Sequence, residues 1–320
     1  LEVKGDIYGR GDVQLMTRRA NGFVNKNTEP GKSYRWMDPD TFGWWRIQNE
    51  ACGEEWIYHN SKYNDMISYV YNEDGFRNEK NLDEITDEPY GVVFGSSQIE
   101  GIGVPFEWTL AKKLQEKTGH HVYNMGMSGV GQHEVFTNFM NLACNYNAPK
   151  WVLMSTSRPQ ICMVEDPNKP GFFMKVGPWV SWFKKYMVGE RSEAFLDNVL
   201  KYYEGRLDIG KDLHEDETYF TIIAQMAKKI GTKLVFLEIV DRDNLKEVPG
   251  ITPKDIDWIE KTEEMPHIFP QDETEFMMRY IRKEEKKLPV AEKNRFARDC
   301  HHQGEWWNEI AANRMMELLK

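Results

Sequence analysis

The feature that most restricts this chain is a texture that starts at Tyr90 and repeats. A short apolar run ends in glycine or serine, a stretch with helical spacing follows, and another apolar run comes after it. Gly91-Val92-Val93-Phe94-Gly95, His121-Val122-Tyr123-Asn124-Met125-Gly126, Trp151-Val152-Leu153-Met154-Ser155 and Lys233-Leu234-Val235-Phe236-Leu237-Glu238-Ile239 read as strands. Between them the apolar periodicity predicts helices over 108–117, 134–145 and 219–230. Runs apolar at successive positions, rather than alternating, belong to strands covered on both faces, and parallel strands need helical crossovers. The pattern therefore predicts a parallel sheet between two helical layers, closed by a last helix over 305–319.

Two stretches do not fit a minimal version of that architecture, about 160–215 and about 241–298. There Pro, Trp, Phe and charged residues mix without strand periodicity, and the reading is of mostly helical insertions. Ligands of open parallel sheets bind outside the carboxyl ends of the strands, so insertions there would shape a substrate cleft. Ahead of the sheet, residues 1–88 are rich in Gly, Asn, Asp and aromatics, with an alternating Met66-Ile67-Ser68-Tyr69-Val70-Tyr71 closed by Asn72-Glu73-Asp74-Gly75. This predicts a small β-rich N-terminal segment before an α/β domain over 89–320. Trp44, Trp45 and Trp56 in that segment are expected to fill a core rather than to stack on a ligand.

Composition narrows the functional classes. With 40% hydrophobic and 13% aromatic residues the chain can bury a substantial core. A formal net charge of −10, with no basic stripe, argues against nucleic acid as a partner. No run of 18 apolar residues is present, so no membrane span is expected. Four cysteines without C-x-x-C spacing suggest neither a zinc ribbon nor a disulfide scaffold. The histidines form no H-x-x-x-H pair, and neither a metal nor a cofactor is expected. Compartment and oligomeric state are not legible.

The chemistry gathers where the predicted strands end. Phe94-Gly95-Ser96-Ser97-Gln98-Ile99-Glu100-Gly101-Ile102-Gly103 follows the first strand, so that Ser97 would stand at the sheet's C-terminal edge, where its own N–H can also serve an oxyanion. After the second strand comes Asn124-Met125-Gly126-Met127-Ser128-Gly129, and near the C-terminus Asp299-Cys300-His301-His302. These blocks, in this order, resemble those of the SGNH/GDSL hydrolases, and Asn72-Glu73-Asp74-Gly75-Phe76-Arg77 is similar to the segment that precedes the first block in many bacterial members. The likeness covers roughly 70–155 and 295–320.

The resemblance implies a three-layer α/β/α, flavodoxin-like fold and a serine esterase working through an acyl-enzyme. Ser97 would be the nucleophile, Asp299 the residue that orients a histidine base, and Gly126 a backbone donor to the oxyanion. Two spacings compete for the base: Asp-x-x-His selects His302, and Asp-x-His selects His301. The run from His301 into the closing helix favours His301. Two supporting residues depart from the family pattern. Ser96 stands in place of the Asp of Gly-Asp-Ser, and the Asn expected after the third strand is absent from Ser155-Thr156-Ser157-Arg158-Pro159, leaving Ser157 or Arg158 as substitute donors. The substrate expected is a small-molecule or carbohydrate ester, an O-acetyl sugar suiting the aromatic insertions with Trp179 and Trp182. Alternatives are a catalytically silent binding protein and an O-acyltransferase acting on a polysaccharide.

Overall fold

The computed structural model describes residues 16–26, 28–37, 40–155, 162–165, 172–176, 197–198, 201, 209–237, 274–275, 296–299 and 302–320. The N-terminal part is mixed rather than β-rich. Strands β1 (Met16–Arg18) and β2 (Val24–Lys26) form an antiparallel pair, and β3 (Ser33–Tyr34) pairs with β4 (Tyr69–Val70). Between β3 and β4 lie the helix α1 (Phe42–Cys52), two 3-10 turns and the short helix α2 (Ser61–Asp65). Alternation around Ile67 overstated the strand because its inward side chains enter an aromatic cluster. Met37, Trp56, Tyr58, Ile67, Tyr69, Tyr71 and Ile102 are buried together, with Trp45 and Trp108 packed against them. Trp45 and Trp56 are core residues, as their setting suggested.

From Tyr90 onward the texture becomes a sheet. Strands β5 (Tyr90–Gly95), β6 (His121–Gly126) and β7 (Trp151–Ser155) alternate with helices α3 (Ser97–Glu100), α4 (Leu110–Thr118) and α5 (Gln132–Asn145). The ribbon β8 (Cys162–Glu165) and β9 (Phe172–Val176) follows, then α6 (Ile209–Ile230), β10 (Lys233–Leu237), β11 (Thr274–Glu275) and α7 (Glu305–Leu318). The central sheet runs β11-β10-β7-β5-β6, every neighbouring pair parallel. Numbered by their order along the chain within this sheet, its strands run 2-1-3-4-5, the flavodoxin-like doubly wound order, with the switch point beside β5.

Both faces of the sheet are covered. Val92, Phe94, Val152, Met154, Leu234 and Phe236 face α5 and α6 through Val135, Phe139, Leu142, Phe220 and Ile223. Val93, Leu153 and Val235 face α4 and α7 through Leu110, Leu114, Trp307, Ala311 and Met315. Successive residues of one strand thus enter opposite cores, which is why the runs are apolar throughout. The first core continues into the N-terminal part through Phe23, Val24, Phe76 and Leu82.

The insertions contain strands among their described residues. Stretch 160–215 contains the antiparallel ribbon β8–β9, and β9 also pairs with β1. Stretch 241–298 contributes a strand, β11, to the sheet edge beside β10. A two-residue strand carries too little periodicity to be read from sequence. Trp179 and Trp182 lie outside the described residues.

Candidate active site

Strand β5 delivers Ser97 to the carboxyl edge of the sheet. Gly95 ends the strand opposite Gly126 of β6, Ser96 is the N-cap of α3, and Ser97 is that helix's first residue. The Ser96 carbonyl accepts the N–H groups of Ile99 and Glu100, so the turn closes immediately after the strand. The Ser97 side chain is half-buried, with Oγ 2.7 Å from His302 Nε2. On the other side of the ring, His302 Nδ1 lies 2.5 Å from Asp299 Oδ2, and Asp299 Oδ1 accepts the His302 backbone N–H at 3.1 Å. Asp299 is fully buried and His302 nearly so.

Serine, histidine and aspartate therefore form one hydrogen-bonded line. Burial alone would pull the His302 pKa down. The Asp299 carboxylate, through its charge and its hydrogen bond, outweighs burial, and Asp40 and Glu100 add to it, so the imidazole titrates above its ordinary value of 6.5. Such a pairing fixes Nδ1 as the protonated nitrogen and leaves Nε2 to accept from Ser97 Oγ–H.

The Asp-x-x-His spacing is thus the one realised around Ser97, against the lean toward His301. The Asp299 side chain reaches back to the backbone N–H of the third residue after it, closing a tight turn that brings the His302 ring onto the same carboxylate. His301 lies outside the described residues, as do Ser157 and Arg158.

Gly126 is the last residue of β6, at the sheet edge, and its N–H donates to Asn124 Oδ1 at 2.9 Å. What the glycine permits is close packing: a Cβ there would come within 2.2 Å of the Glu100 N and 2.5 Å of the Ile99 C, so α3 rests directly on the strand. The turn after β6 follows directly. Met127 N donates to the Gly95 carbonyl at 2.9 Å, Ser128 N donates to Glu100, and Gly129 follows with φ of 67°. Among the described residues, the N–H groups of Ser97 and Gly129 make no hydrogen bond. The motif alone does not single out Gly129; its signal is the positive φ that a Ser-Gly turn invites.

The loop that carries Asp299 and His302 is anchored by Arg298, which sequence reading also passed over. Arg298 is fully buried, its Nη2 2.5 Å from Asp40 Oδ2 and its Nε 3.0 Å from Asp40 Oδ1. It donates further to Asn64 Oδ1 at 2.9 Å and to the Arg35 carbonyl at 2.8 Å, and its guanidinium lies 3.8 Å from the centre of the Trp36 ring. Tyr69 Oη donates to Asp40 and accepts the N–H of Gly103, and the Gly103 carbonyl accepts the Arg298 N–H. A second arginine, Arg77, is buried under α3 and donates to the carbonyls of Gly101, Ser68 and Val104. Among the described residues, no group of three or more His, Cys, Asp or Glu side chains could hold a metal ion, and no helix is long and apolar enough to cross a membrane.

No protein-family model and no curated protein matches the chain. Among solved structures it is similar to a member of the lipolytic protein G-D-S-L family from Veillonella parvula DSM 2008, at 9% identity and a TM-score of 0.39, over 72% of this chain and 97% of that one. It is also similar to an acetyl xylan esterase from the rumen bacterium Butyrivibrio proteoclasticus, at 10% identity and a TM-score of 0.37, over 72% of this chain and 63% of that one. At such scores neither likeness bears on the chemistry of this chain.

Proposed function

We propose that the chain is a serine esterase of the SGNH kind, with Ser97 as nucleophile, His302 as base and Asp299 as the carboxylate that orients it. The observation that carries the reading is the line Ser97 Oγ to His302 Nε2, 2.7 Å, and His302 Nδ1 to Asp299, 2.5 Å. Ser97 Oγ attacks the ester carbonyl as Nε2 takes its proton. The resulting imidazolium is stabilised by Asp299 and returns the proton to the departing alkoxide, leaving an acyl group on Ser97. Water enters by the same route in reverse, His302 removing its proton. The negative oxygen of each tetrahedral intermediate is met by the N–H groups of Ser97 and Gly129, which are otherwise unpaired among the described residues and lie on neighbouring turns at the sheet edge. These donors would relieve the site of the Asn that is missing after β7.

The substrate class that suits this reading is a small acyl ester, an O-acetyl group on a carbohydrate among them. A fluorophosphonate probe together with p-nitrophenyl acetate hydrolysis tests it. Wild type should label and hydrolyse, and Ser97→Ala should do neither. Absence of labelling across about pH 6 to 9, where a histidine base must become neutral, would sink the esterase reading. Hydrolysis that gives way to ester formation when an acceptor sugar is added would assign the chain to acyl transfer instead.

A further inference from the structure

Ser97 shares its helix with a second functional group, Glu100, three residues on, with no exposed surface. Glu100 Oε1 accepts the Tyr71 hydroxyl at 2.5 Å, and Oε2 accepts the backbone N–H of Ser128 at 2.5 Å. A buried carboxylate is tolerated only when its oxygens are hydrogen-bonded, so these contacts fix the group tightly. Its own backbone is equally constrained. The Glu100 N lies where a Cβ on Gly126 would clash, Ile99 O accepts from Asn124 Nδ2 at 2.9 Å, and Arg77 closes the far end at the Gly101 carbonyl.

The consequence concerns the turn after β6. Ser128 is the residue before Gly129, and its N–H points at a carboxylate carried by the nucleophile's own helix. Among the described residues, the Ser96 hydroxyl on the other side of Ser97 donates to Gln98 Oε1. The carboxylate that meets the Ser128 N–H comes from the other end of the nucleophile's own helix.

We propose that Glu100 is a positioning residue: its carboxylate holds the Ser128 N–H and thereby fixes the adjoining Gly129 N–H relative to Ser97 Oγ. The inference rests on the esterase reading for its effect on rate, but the contact can be tested without it. The hydrogen bond needs an acceptor oxygen at full glutamate reach. Glu100→Gln keeps that reach without the charge, Glu100→Asp keeps the charge but withdraws the oxygens, and Glu100→Leu removes both.

Steady-state kinetics on p-nitrophenyl acetate and hydrogen exchange of the 126–131 segment are measured well below each variant's melting temperature. Glu100→Leu should lower kcat about 10- to 100-fold with KM little changed, since one oxyanion donor is worth about 10²–10³ in rate. Exchange of the 126–131 amides should quicken in step. Glu100→Gln should restore most of kcat and of the protection, and Glu100→Asp should restore less. The proposal is overturned if Glu100→Leu keeps kcat and exchange near wild type, or if Glu100→Asp outperforms Glu100→Gln, which would make the charge and not the reach decisive. Should Glu100→Leu fail to fold, the order of the Gln and Asp variants still decides. Should wild type neither label nor hydrolyse, the esterase reading falls alone, and exchange still tells whether Glu100 holds the turn.

Discussion

Ser97 and His302 meet across 2.7 Å but reach that point from opposite mechanical situations. Ser97 is held from below by the sheet: a strand ends, a glycine of the neighbouring strand admits the helix, and Asn124, Arg77 and Ser128 tie that helix to its surroundings. Among the described residues, the loop of Asp299 and His302 carries one isolated bridge, Phe296 with Gln303, and no strand of the central sheet. It is fastened to the N-terminal part through Arg298 and Asp40, 258 positions apart in sequence, and to the Gly103 backbone. Behind it, α7 locks against α4 through Trp307, Ala311 and Met315. The nucleophile thus depends on local register and the base on a long-range buried ion pair. Substitutions that loosen one support should leave the other largely in place.

The largest separation is expected in catalysis itself. Asp299→Asn should lower kcat about 10⁴-fold by letting the ring adopt the wrong tautomer, with little change in fold. His302→Ala should do at least as much harm, while His301→Ala should stay within a few-fold of wild type. Kinetics on p-nitrophenyl acetate decide, and the reverse ranking of the two histidines would transfer the base to His301.

Next comes the ion pair. Asp40→Ala leaves Arg298 charged and uncompensated in a fully buried site, a loss of about 3–5 kcal/mol in urea unfolding. Activity should fall through the misplaced His302, more than Ser97 labelling by a highly reactive probe does. Equal loss in both would mean that the two supports are not independent. On the nucleophile side, Gly126→Ala should cost about 1–3 kcal/mol by overpacking against the backbone of α3, with Ser97 displaced and the Arg298 anchor intact.

The smallest effect is on pH dependence. Because Asp299 holds the His302 pKa above 6.5, the acid limb of kcat/KM should lie above the ordinary histidine range, and Asp299→Asn should move it down. The sign for stability follows from the same shift. Protonated His302 stabilises the fold fully below about 6.5, and that contribution fades as pH rises through the raised native value. Unfolding free energy measured across that range should therefore fall slightly in wild type and stay flat in Asp299→Asn.

Much of this was legible in the residues. The strands at 121–126 and 151–155 are where the apolar runs put them, because a strand buried on both faces is apolar at most of its positions. The Asp299-to-His302 segment could be marked as chemistry only through its resemblance to the C-terminal block of the SGNH/GDSL hydrolases, since a carboxylate close to a histidine recurs at His133-Glu134 and His214-Glu215. The choice between two histidines one residue apart was out of reach, since it turns on the backbone path of the loop. The packing of Gly126 was out of reach for a related reason. A glycine motif says that backbone must come close to something, and here helix α3 lies directly against it.

The sequence by itself determined the layered sheet and the edge at which Ser97 stands, for both follow from periodicities that act over a few residues. Tertiary structure alone decided which histidine meets Ser97, that Arg298 is bound by Asp40, and that Glu100 reaches Ser128. Each of these joins segments whose separation in sequence carries no pattern, and each is fixed by burial, which only the folded chain creates.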